Sequence, residues 1–363
     1  ERDKLDSGQC RDCFSPAMNY VPGGSAQYGM ALTKFKDDGS KHRFKYGFIS
    51  SSDNHQAAPG SGYKELFHTS VDGVGPPNEL FDKFLHMEPY TIGAQNENPV
   101  KDAYISDDQP IDFDLTKLSL GFNTIEWERQ RSFFQTGGLA AVHSEGRSKE
   151  EIWDAFKRHE TYATSGPRIL LWFDLVNNQD STNGKSPMGS LVEMSQNPEF
   201  EVRAMGSYIQ KSGCPEDAYT ALGEDRVNEL CYNECYNPSD ERKKITRIEV
   251  IRVWPQEYIN QPIDERIEDT WLVHNCDTDK IGCRFTFTDP DFSTMQSDVS
   301  YYARAIEEPS PIINVKGAHC IFDEEGNCSE FKICTQDFKN PRDLEACTSI
   351  DEPRAWSSPI YLN

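Results

Sequence analysis

The pattern of apolar and polar residues divides the chain into two regions with different predicted architectures. Up to about residue 165, short apolar runs alternate with helical patterns, which is typical of an α/β segment. Beyond that point, runs that alternate or stay apolar between polar loops predict β-strands at residues 200–205, 245–254 and 283–288. We therefore predict an α/β part over residues 1–165 and a β-rich part over residues 166–363.

Three short patterns define elements of the first region. Residues 46–50 are an apolar run that leads into Ser51-Ser52-Asp53-Asn54-His55, as expected of a buried strand with polar groups at its C-terminal end. Residues 137–142 predict a turn followed by a buried strand. Ser148 is a predicted helix N-cap, because Glu150 and Glu151 follow it in the first turn.

Long segments without apolar periodicity interrupt both regions. Residues 56–118 hold Gly, Pro, Asn and Asp without sustained periodicity, which predicts a long loop that serves or covers a site. Residues 206–244 and 306–352 are predicted insertions that carry cysteines.

Eleven cysteines bear on the compartment in which the protein works. Cys10 and Cys13 have the spacing of zinc ligands, but Cys231 and Cys235, the candidate partner pair, lie more than two hundred residues away. Disulfides formed in an oxidising compartment are the favoured interpretation. We therefore expect a secreted or periplasmic protein with disulfide-stapled insertions.

Charge and motif content exclude several classes of function. The formal net charge of −23 repels phosphate backbones and argues against a general nucleic-acid binder. Since no run of apolar residues approaches the length of a spanning helix, we expect no membrane span. The chain also lacks a Gly-x-Ser-x-Gly elbow, a Walker loop and a dinucleotide fingerprint, which excludes serine hydrolases, P-loop kinases and Rossmann enzymes.

The strongest local candidate for chemistry is the pair formed by Asp53 and His55. In an extended segment, residues two apart point to the same side, so a carboxylate and an imidazole can address one metal ion. These donors suit zinc, manganese or iron. The alternative is a capped turn in which Asp53 bonds nearby backbone and His55 lies at the surface.

Two further residues are candidate catalytic groups. His143 ends the predicted strand that begins near residue 137 and could line the same cavity, although a structural histidine with satisfied nitrogens is equally compatible with the pattern. Arg168, after Ser165-Gly166-Pro167, could bind an anion. The alternative for Arg168 is a turn residue paired with one of the many carboxylates.

Five sequence blocks, in this order along the chain, resemble one protein family. They occupy residues 45–55, 137–147, 152–168, 301–304 and 355–360. Together they resemble the secreted domain-of-unknown-function 3604 family, related to the PHP (polymerase and histidinol phosphatase) metal hydrolases. The resemblance implies the later part of a distorted (β/α) barrel followed by a β-rich C-terminal domain. It also implies that Asp53 and His55 match an Asp-x-His metal motif.

The resemblance further implies a metal-dependent hydrolase, with phosphoesters as the expected substrate class. Such proteins begin with a Gly-Asp-Leu-His-x-His type motif that is absent from this chain. We therefore expect the early metal ligands on an N-terminal segment of the same precursor, present as a separate chain or as further sequence. The other expected partner is a small-molecule ester substrate, and homo-oligomerisation is left open.

The rival hypothesis is a protein without catalytic activity. An acidic, disulfide-stapled, secreted chain is also compatible with a structural or binding module that lacks an active centre. The side chains around Asp53 and His55 distinguish the two hypotheses, because an enzyme needs several further metal donors converging there.

Overall fold

The computed structural model describes residues 25–51, 138–181, 184–231, 235–294, 297–313, 319–322, 328–332 and 348–363. Strands follow the chain in this order: β1 Thr33–Phe35, β2 Lys41–Arg43, β3 Leu139–Val142, β4 Thr161–Thr164, β5 Leu170–Leu175, β6 Ser186–Pro187, β7 Leu191–Val192, β8 Glu199–Met205, β9 Tyr208–Gln210, β10 Pro238–Arg242, β11 Ile245–Val253, β12 Ile267–Asn275, β13 Cys283–Thr288, β14 Val299–Glu307, β15 Ser310–Ile313, β16 His319–Phe322, β17 Cys328–Lys332, β18 Thr348–Asp351, β19 Arg354–Ser357 and β20 Ile360–Leu362.

Helices are few in the described ranges. They are α1 Ala26–Ala31, α2 Lys149–Lys157, α3 Glu216–Leu222 and α4 Glu224–Cys231, with single 3-10 turns at Asp264–Arg266 and Phe292–Thr294. The predicted N-cap of α2 is confirmed: the Glu151 amide donates to Ser148 Oγ at 3.2 Å, and Glu151 Oε2 accepts from the Ser148 amide at 2.9 Å. This reciprocal pair satisfies backbone donors that the first helical turn leaves free. None of these helices has the length and apolar content of a membrane span.

Two sheets packed face to face form the body of the described structure. The larger has the strand order β12-β11-β14-β19-β4-β3, with β20 beside β14 and β7 beside β20. The smaller has the order β13-β8-β5-β6. Inner-face side chains alternate along the strands, as in β5, where Leu171, Phe173 and Leu175 are fully buried. The aromatic centre of the core is Phe200, whose ring centroid lies 5.2 Å from Phe173 and 4.8 Å from Tyr301 of the larger sheet.

The outer face of the larger sheet has a second, smaller apolar cluster. Helix α1 and the extended segment 44–48 cover this face, so that Met30 and Ala31 are buried against Ile251 and Tyr302. The larger sheet is therefore buried on both faces over part of its area.

The predicted α/β barrel is wrong for the described residues, which are mostly β-sheet with no sheet closed into a barrel. A (β/α) barrel needs parallel strands, but β3 pairs antiparallel with β4, and β4 pairs antiparallel with β19. The parallel pair among the described strands is β7 with β20. Two apolar runs around an amphipathic helix fit a β–α–β unit equally well, because periodicity does not specify strand direction. The division of the chain at residue 165 stays a prediction.

Disulfides are confirmed, with two in the described residues. Cys214–Cys235 closes the segment that holds α3 and α4, between the paired strands β9 and β10, inside the predicted insertion at 206–244. Cys276–Cys283 joins the end of β12 to the start of β13. Both bonds suit an oxidising compartment.

Candidate functional site

The sequence blocks that carry the family resemblance meet on one half of the larger sheet. Strand β19 lies between β14 and β4, with Ala355 opposite Ala305 on one side and Thr164 on the other. Strand β3 completes this part of the sheet at its edge. These strands are far apart in sequence but adjacent in the sheet. The sequence blocks that contain them therefore form one structural unit.

Segment 44–51 runs across this unit and is held by side chains of the strand β19–β20 region. The Tyr361 hydroxyl donates to the Tyr46 carbonyl at 2.9 Å and accepts from the Tyr46 amide at 3.0 Å. The Phe48 amide donates to Ser358 Oγ at 2.8 Å, and Ser358 is fully buried. The segment is extended, as predicted for residues 46–50, but it pairs with side chains and contributes no strand to a sheet.

Ser50 and Ser51 anchor the end of this segment to the strands β3 and β4. Ser50 Oγ lies 2.8 Å from the Leu139 carbonyl and 2.7 Å from the Thr164 carbonyl, and it accepts from the Thr164 amide at 3.2 Å. The Gly138 amide donates to the Ser51 carbonyl at 3.1 Å. A Cβ atom at Gly138 would lie 2.7 Å from Ser50 Oγ, so glycine permits this close approach.

Asp53 and His55, the predicted metal ligands, lie outside the described residues. They follow Ser51 by two and four positions in the sequence. The described range 25–51 therefore ends at Ser51, two residues before the pair, and its last residues, Ser50 and Ser51, are held by β3 and β4.

His143 is half-buried at the end of β3, among backbone and aromatic groups. Its Nε2 lies 2.8 Å from the Leu171 carbonyl, and since a carbonyl only accepts, Nε2 carries the proton. The ring centroid lies 5.3 Å from that of Tyr162 and 5.6 Å from that of Trp172. These contacts fit the alternative that His143 is a structural histidine. They leave Nδ1 as the ring nitrogen that could accept a proton in catalysis. A catalytic role for His143 stays a prediction.

Arg168 is exposed, and its guanidinium carbon lies 3.8 Å from the ring centroid of Tyr236. Tyr236 adjoins Cys235 of the disulfide Cys214–Cys235, so the insertion at 206–244 reaches the turn that carries Arg168. This stacking is compatible with anion binding, because an arginine stacked on an aromatic ring keeps its donors at the edge. The predicted role of Arg168 also stays a prediction.

Tyr162 connects the surroundings of His143 and Arg168. Its ring lies beside His143, and its hydroxyl donates to the carbonyl of Ile169, the residue after Arg168, at 3.1 Å. Burial raises the pKa of Tyr162 to about 12, so the phenol stays protonated and donating at neutral pH. Tyr162 thus contacts the ring of His143 and the backbone of the residue that follows Arg168.

Sequence reasoning missed a buried ionic cluster between the two sheets. Arg252 of β11 donates from Nη1 to Asp289 Oδ2 at 2.7 Å, and the Tyr301 hydroxyl donates to the same oxygen at 2.6 Å. The Asp291 amide donates to Asp289 Oδ1 at 3.0 Å. Arg252 also pairs with Glu268, and its guanidinium carbon lies 4.5 Å from the ring of Trp271.

This cluster is structural in its geometry, because its described polar groups satisfy one another in the core. Backbone strain accompanies it, since Thr270, beside Trp271, has φ of 59° where β11 and β12 lose their regular register. The sequence signal was Arg252 at an inward position of the apolar run 245–254. Nothing local in the sequence identifies its partner Asp289.

A group of metal-type donors in the described residues consists of His274, Cys276 and Cys283. One donor atom from each lies within 4.8 Å of the others. In this structure the two sulfur atoms are joined as a disulfide, and therefore they are not thiolate ligands. The group was not predicted from the sequence.

Comparison with known proteins adds a family assignment. The sequence family described as protein of unknown function DUF3604 matches residues 15–220, which is more than half of the chain. No curated protein and no solved structure matches the chain. The family part of the sequence resemblance is confirmed: the chain belongs to the domain-of-unknown-function 3604 family.

Proposed function

We propose that this protein is a metal-dependent hydrolase, with phosphoesters as the substrate class and with Asp53 and His55 among the metal ligands. The observation that supports the proposal is the anchoring of Ser50 and Ser51 to β3 and β4. A metal site requires ligands on a backbone with few alternative conformations, and these hydrogen bonds fix the residues that lead directly to the pair.

The chemistry follows from the donor types. When bound, a divalent zinc, manganese or iron ion would supply an activated water and positive charge for a developing oxyanion. His143 would accept a proton at Nδ1, since Nε2 is engaged by the Leu171 carbonyl. Arg168 would bind the anionic ester through its guanidinium edge. Further metal ligands are proposed to come from an N-terminal segment of the same precursor.

The two disulfides support a secreted or periplasmic location for this activity. The strongly negative net charge supports a small-molecule ester over a nucleic acid as the substrate.

Substitution of the pair tests the proposal in the full chain. We expect Asp53→Ala and His55→Ala to lower metal content, measured by elemental analysis, and turnover of a chromogenic aryl phosphate. His42→Ala is a matched control, because His42 is an exposed histidine on β2 and should keep both metal and activity. Full metal content and full activity in both Asp53→Ala and His55→Ala would contradict the proposal.

A second candidate is a binding or structural module without catalytic activity. Two observations favour it: Nε2 of His143 is hydrogen-bonded to backbone, and the sulfur atoms of Cys276 and Cys283 are joined as a disulfide. The module predicts that the wild-type chain, purified without chelators, contains no stoichiometric metal and releases no product from the aryl phosphate.

A further inference from the structure

The connection from β12 of the larger sheet to β13 of the smaller sheet carries three metal-type donors. His274 and Cys276 lie two positions apart on the chain, and Cys283 begins the next strand. Their donor atoms are within 4.8 Å of one another. His274 and Cys276 are half-buried, and Cys283 is 9% exposed. The group is therefore accessible from one side and supported by the core on the other.

Strand pairing holds the three residues without help from the disulfide. His274 pairs with Ile248 of β11, and the Cys276 amide donates to the Thr246 carbonyl at 2.9 Å. Cys283 pairs with Ala204 of β8 in the other sheet. If the sulfur–sulfur bond is broken, the backbone therefore still presents both cysteines at the same place.

The imidazole of His274 is also held in one orientation. Its ring stacks on Phe285, with centroids 4.3 Å apart and planes 6° from parallel. An oriented ring loses little conformational entropy when one of its nitrogens binds a metal, which is the advantage of a preorganised ligand.

The loop between the two cysteines is closed by its own hydrogen bonds. The Lys280 amide donates to the Asp277 carbonyl at 3.1 Å, and the Asp279 amide donates to Asp277 Oδ1 at 3.1 Å. Gly282, with φ of 85°, allows the chain to enter β13. These contacts order the turn inside the loop, and the strand pairing of its two ends is independent of the sulfur atoms.

We propose that reduction of the Cys276–Cys283 disulfide converts this connection into a zinc site with His274, Cys276 and Cys283 as ligands. A dithiol reductant transfers two electrons and two protons to the sulfur–sulfur bond, giving two thiols and the oxidised, disulfide form of the reductant. Zinc binding then displaces the two thiol protons, and the thiolates and the imidazole occupy three positions of a tetrahedron.

Donor spacing fits such a centre. Ligand atoms of one tetrahedral zinc lie about 3.3–3.8 Å apart, given bond lengths of about 2.0–2.3 Å. The separation of at most 4.8 Å between the donor atoms is small enough for side-chain rotation to bring them to these distances. The fourth position would remain for water. The site would exist only under reducing conditions, so oxidation would release the metal.

The second disulfide is a matched control, since Cys214–Cys235 links loop residues of the insertion at 206–244. Within the described residues, His274, Cys276 and Cys283 form a group of three metal-type donors. No such group there contains Cys214 or Cys235. Replacing either pair with serine leaves nine of the eleven cysteines. Any zinc bound by the remaining thiols is therefore comparable in the two double variants.

The experiment is a zinc titration of the full chain, anaerobically, after reduction and against a chromophoric chelator. Wild type and Cys214→Ser/Cys235→Ser should bind one equivalent more than Cys276→Ser/Cys283→Ser. In His274→Ala, the affinity for that equivalent of zinc should fall by more than about tenfold. Loss of a residue that only supports a metal ligand already costs about tenfold, and His274 is proposed as a ligand itself. Cobalt(II) titration should show thiolate charge-transfer absorption that is lost in Cys276→Ser/Cys283→Ser.

Three results would overturn the proposal. They are equal zinc binding by the two double variants, unchanged affinity in His274→Ala, and collapse of the β-sheet circular dichroism of wild type on reduction. The last result counts because the proposal requires the strands to hold the ligands after the disulfide is broken. Oxidised protein should lack this equivalent of zinc.

Discussion

Strand β11 carries charged side chains on both faces of the larger sheet, and the two faces handle them differently. On the inner face, the side chain of Arg252 is 7% exposed and that of Asp289 is 0% exposed. On the outer face, Arg247 and Arg304 both pair with Glu249, and Arg247 also pairs with Glu352, whose side chain is 30% exposed. Arg252 and Asp289 of the inner cluster have little access to water, although Glu268, the other partner of Arg252, is 39% exposed. On the outer face, the Arg247–Glu352 pair is partly hydrated, whereas Glu249 is nearly buried.

This difference in hydration determines how much stability each cluster loses when one of its members is removed. A buried charge that loses its partner has no solvent to replace it, and therefore the inner cluster stabilises the fold only when it is complete. The outer Arg247–Glu352 pair is weakened by water and salt, and losing Glu352 leaves Arg247 partly solvated and still paired with Glu249. The loss of unfolding free energy on breaking an ion pair should therefore differ several-fold between the inner and outer faces of β11.

The largest effect is expected from Asp289→Ala. It leaves Arg252 and Tyr301 without their shared acceptor, and we expect the free energy of unfolding to fall by about 3–5 kcal/mol. Urea denaturation at neutral pH measures this change. The double variant Arg252→Met/Asp289→Ala should be more stable than Asp289→Ala alone, because it also removes the buried guanidinium that Asp289→Ala leaves with Glu268 as its remaining carboxylate partner. A double variant that is less stable would contradict our account of the cluster.

A smaller effect is expected from Tyr301→Phe. It keeps the packed ring and removes one hydrogen bond to a carboxylate, worth about 1.5–3 kcal/mol. Burial and the neighbouring Asp289 both raise the pKa of Tyr301, so the phenol remains a donor throughout the neutral range. Tyr302→Phe is the control: on the outer face, the Tyr302 hydroxyl accepts from the neutral amide of Gln27 at 2.8 Å. Equal losses in the two variants would remove the distinction between the faces.

The smallest effect is expected at Glu352, and it should depend on pH. Arg247 donates to both Glu352 oxygens, at 2.6 and 2.7 Å, and this lowers the pKa of Glu352 below 4.5. Because the folded pKa lies below the unfolded one, the pair stabilises the protein above pH 4.5, and this contribution is lost as pH falls through the folded pKa. Relative to Glu352→Gln, wild type should lose about 0.5 kcal/mol between pH 6 and pH 3. Parallel pH profiles of unfolding would contradict this.

Local rules predicted individual elements well. Residues 200–205, 245–254 and 283–288 correspond to β8, β11 and β13, and the cap at Ser148 is present. Alternation and capping chemistry act over a few residues, and therefore a single sequence contains them.

Relations between distant elements could not be predicted in the same way. The run 46–50 is extended and partly covered, but only the structure shows that Tyr361 and Ser358 hold it. The strand directions of β3 and β4, which decide between a barrel and a sandwich, leave no trace in hydrophobic periodicity. For the candidate site, the sequence predicted Asp53 and His55, which lie outside the described residues, whereas the surroundings of His143 and Arg168 depend on Tyr162 and on an insertion.

The hydrogen bond between Gly138 and Ser51 has a consequence for how the sequence can change. It places Ser51 and Gly138, which are far apart in sequence, side by side. The register of β3 against β4 is set by residues outside the part of the chain between Ser51 and Gly138. Doubling the length of a flexible connection costs only about 0.6 kcal/mol of closure entropy. A change in the number of residues between Ser51 and Gly138 should therefore cost the sheet little.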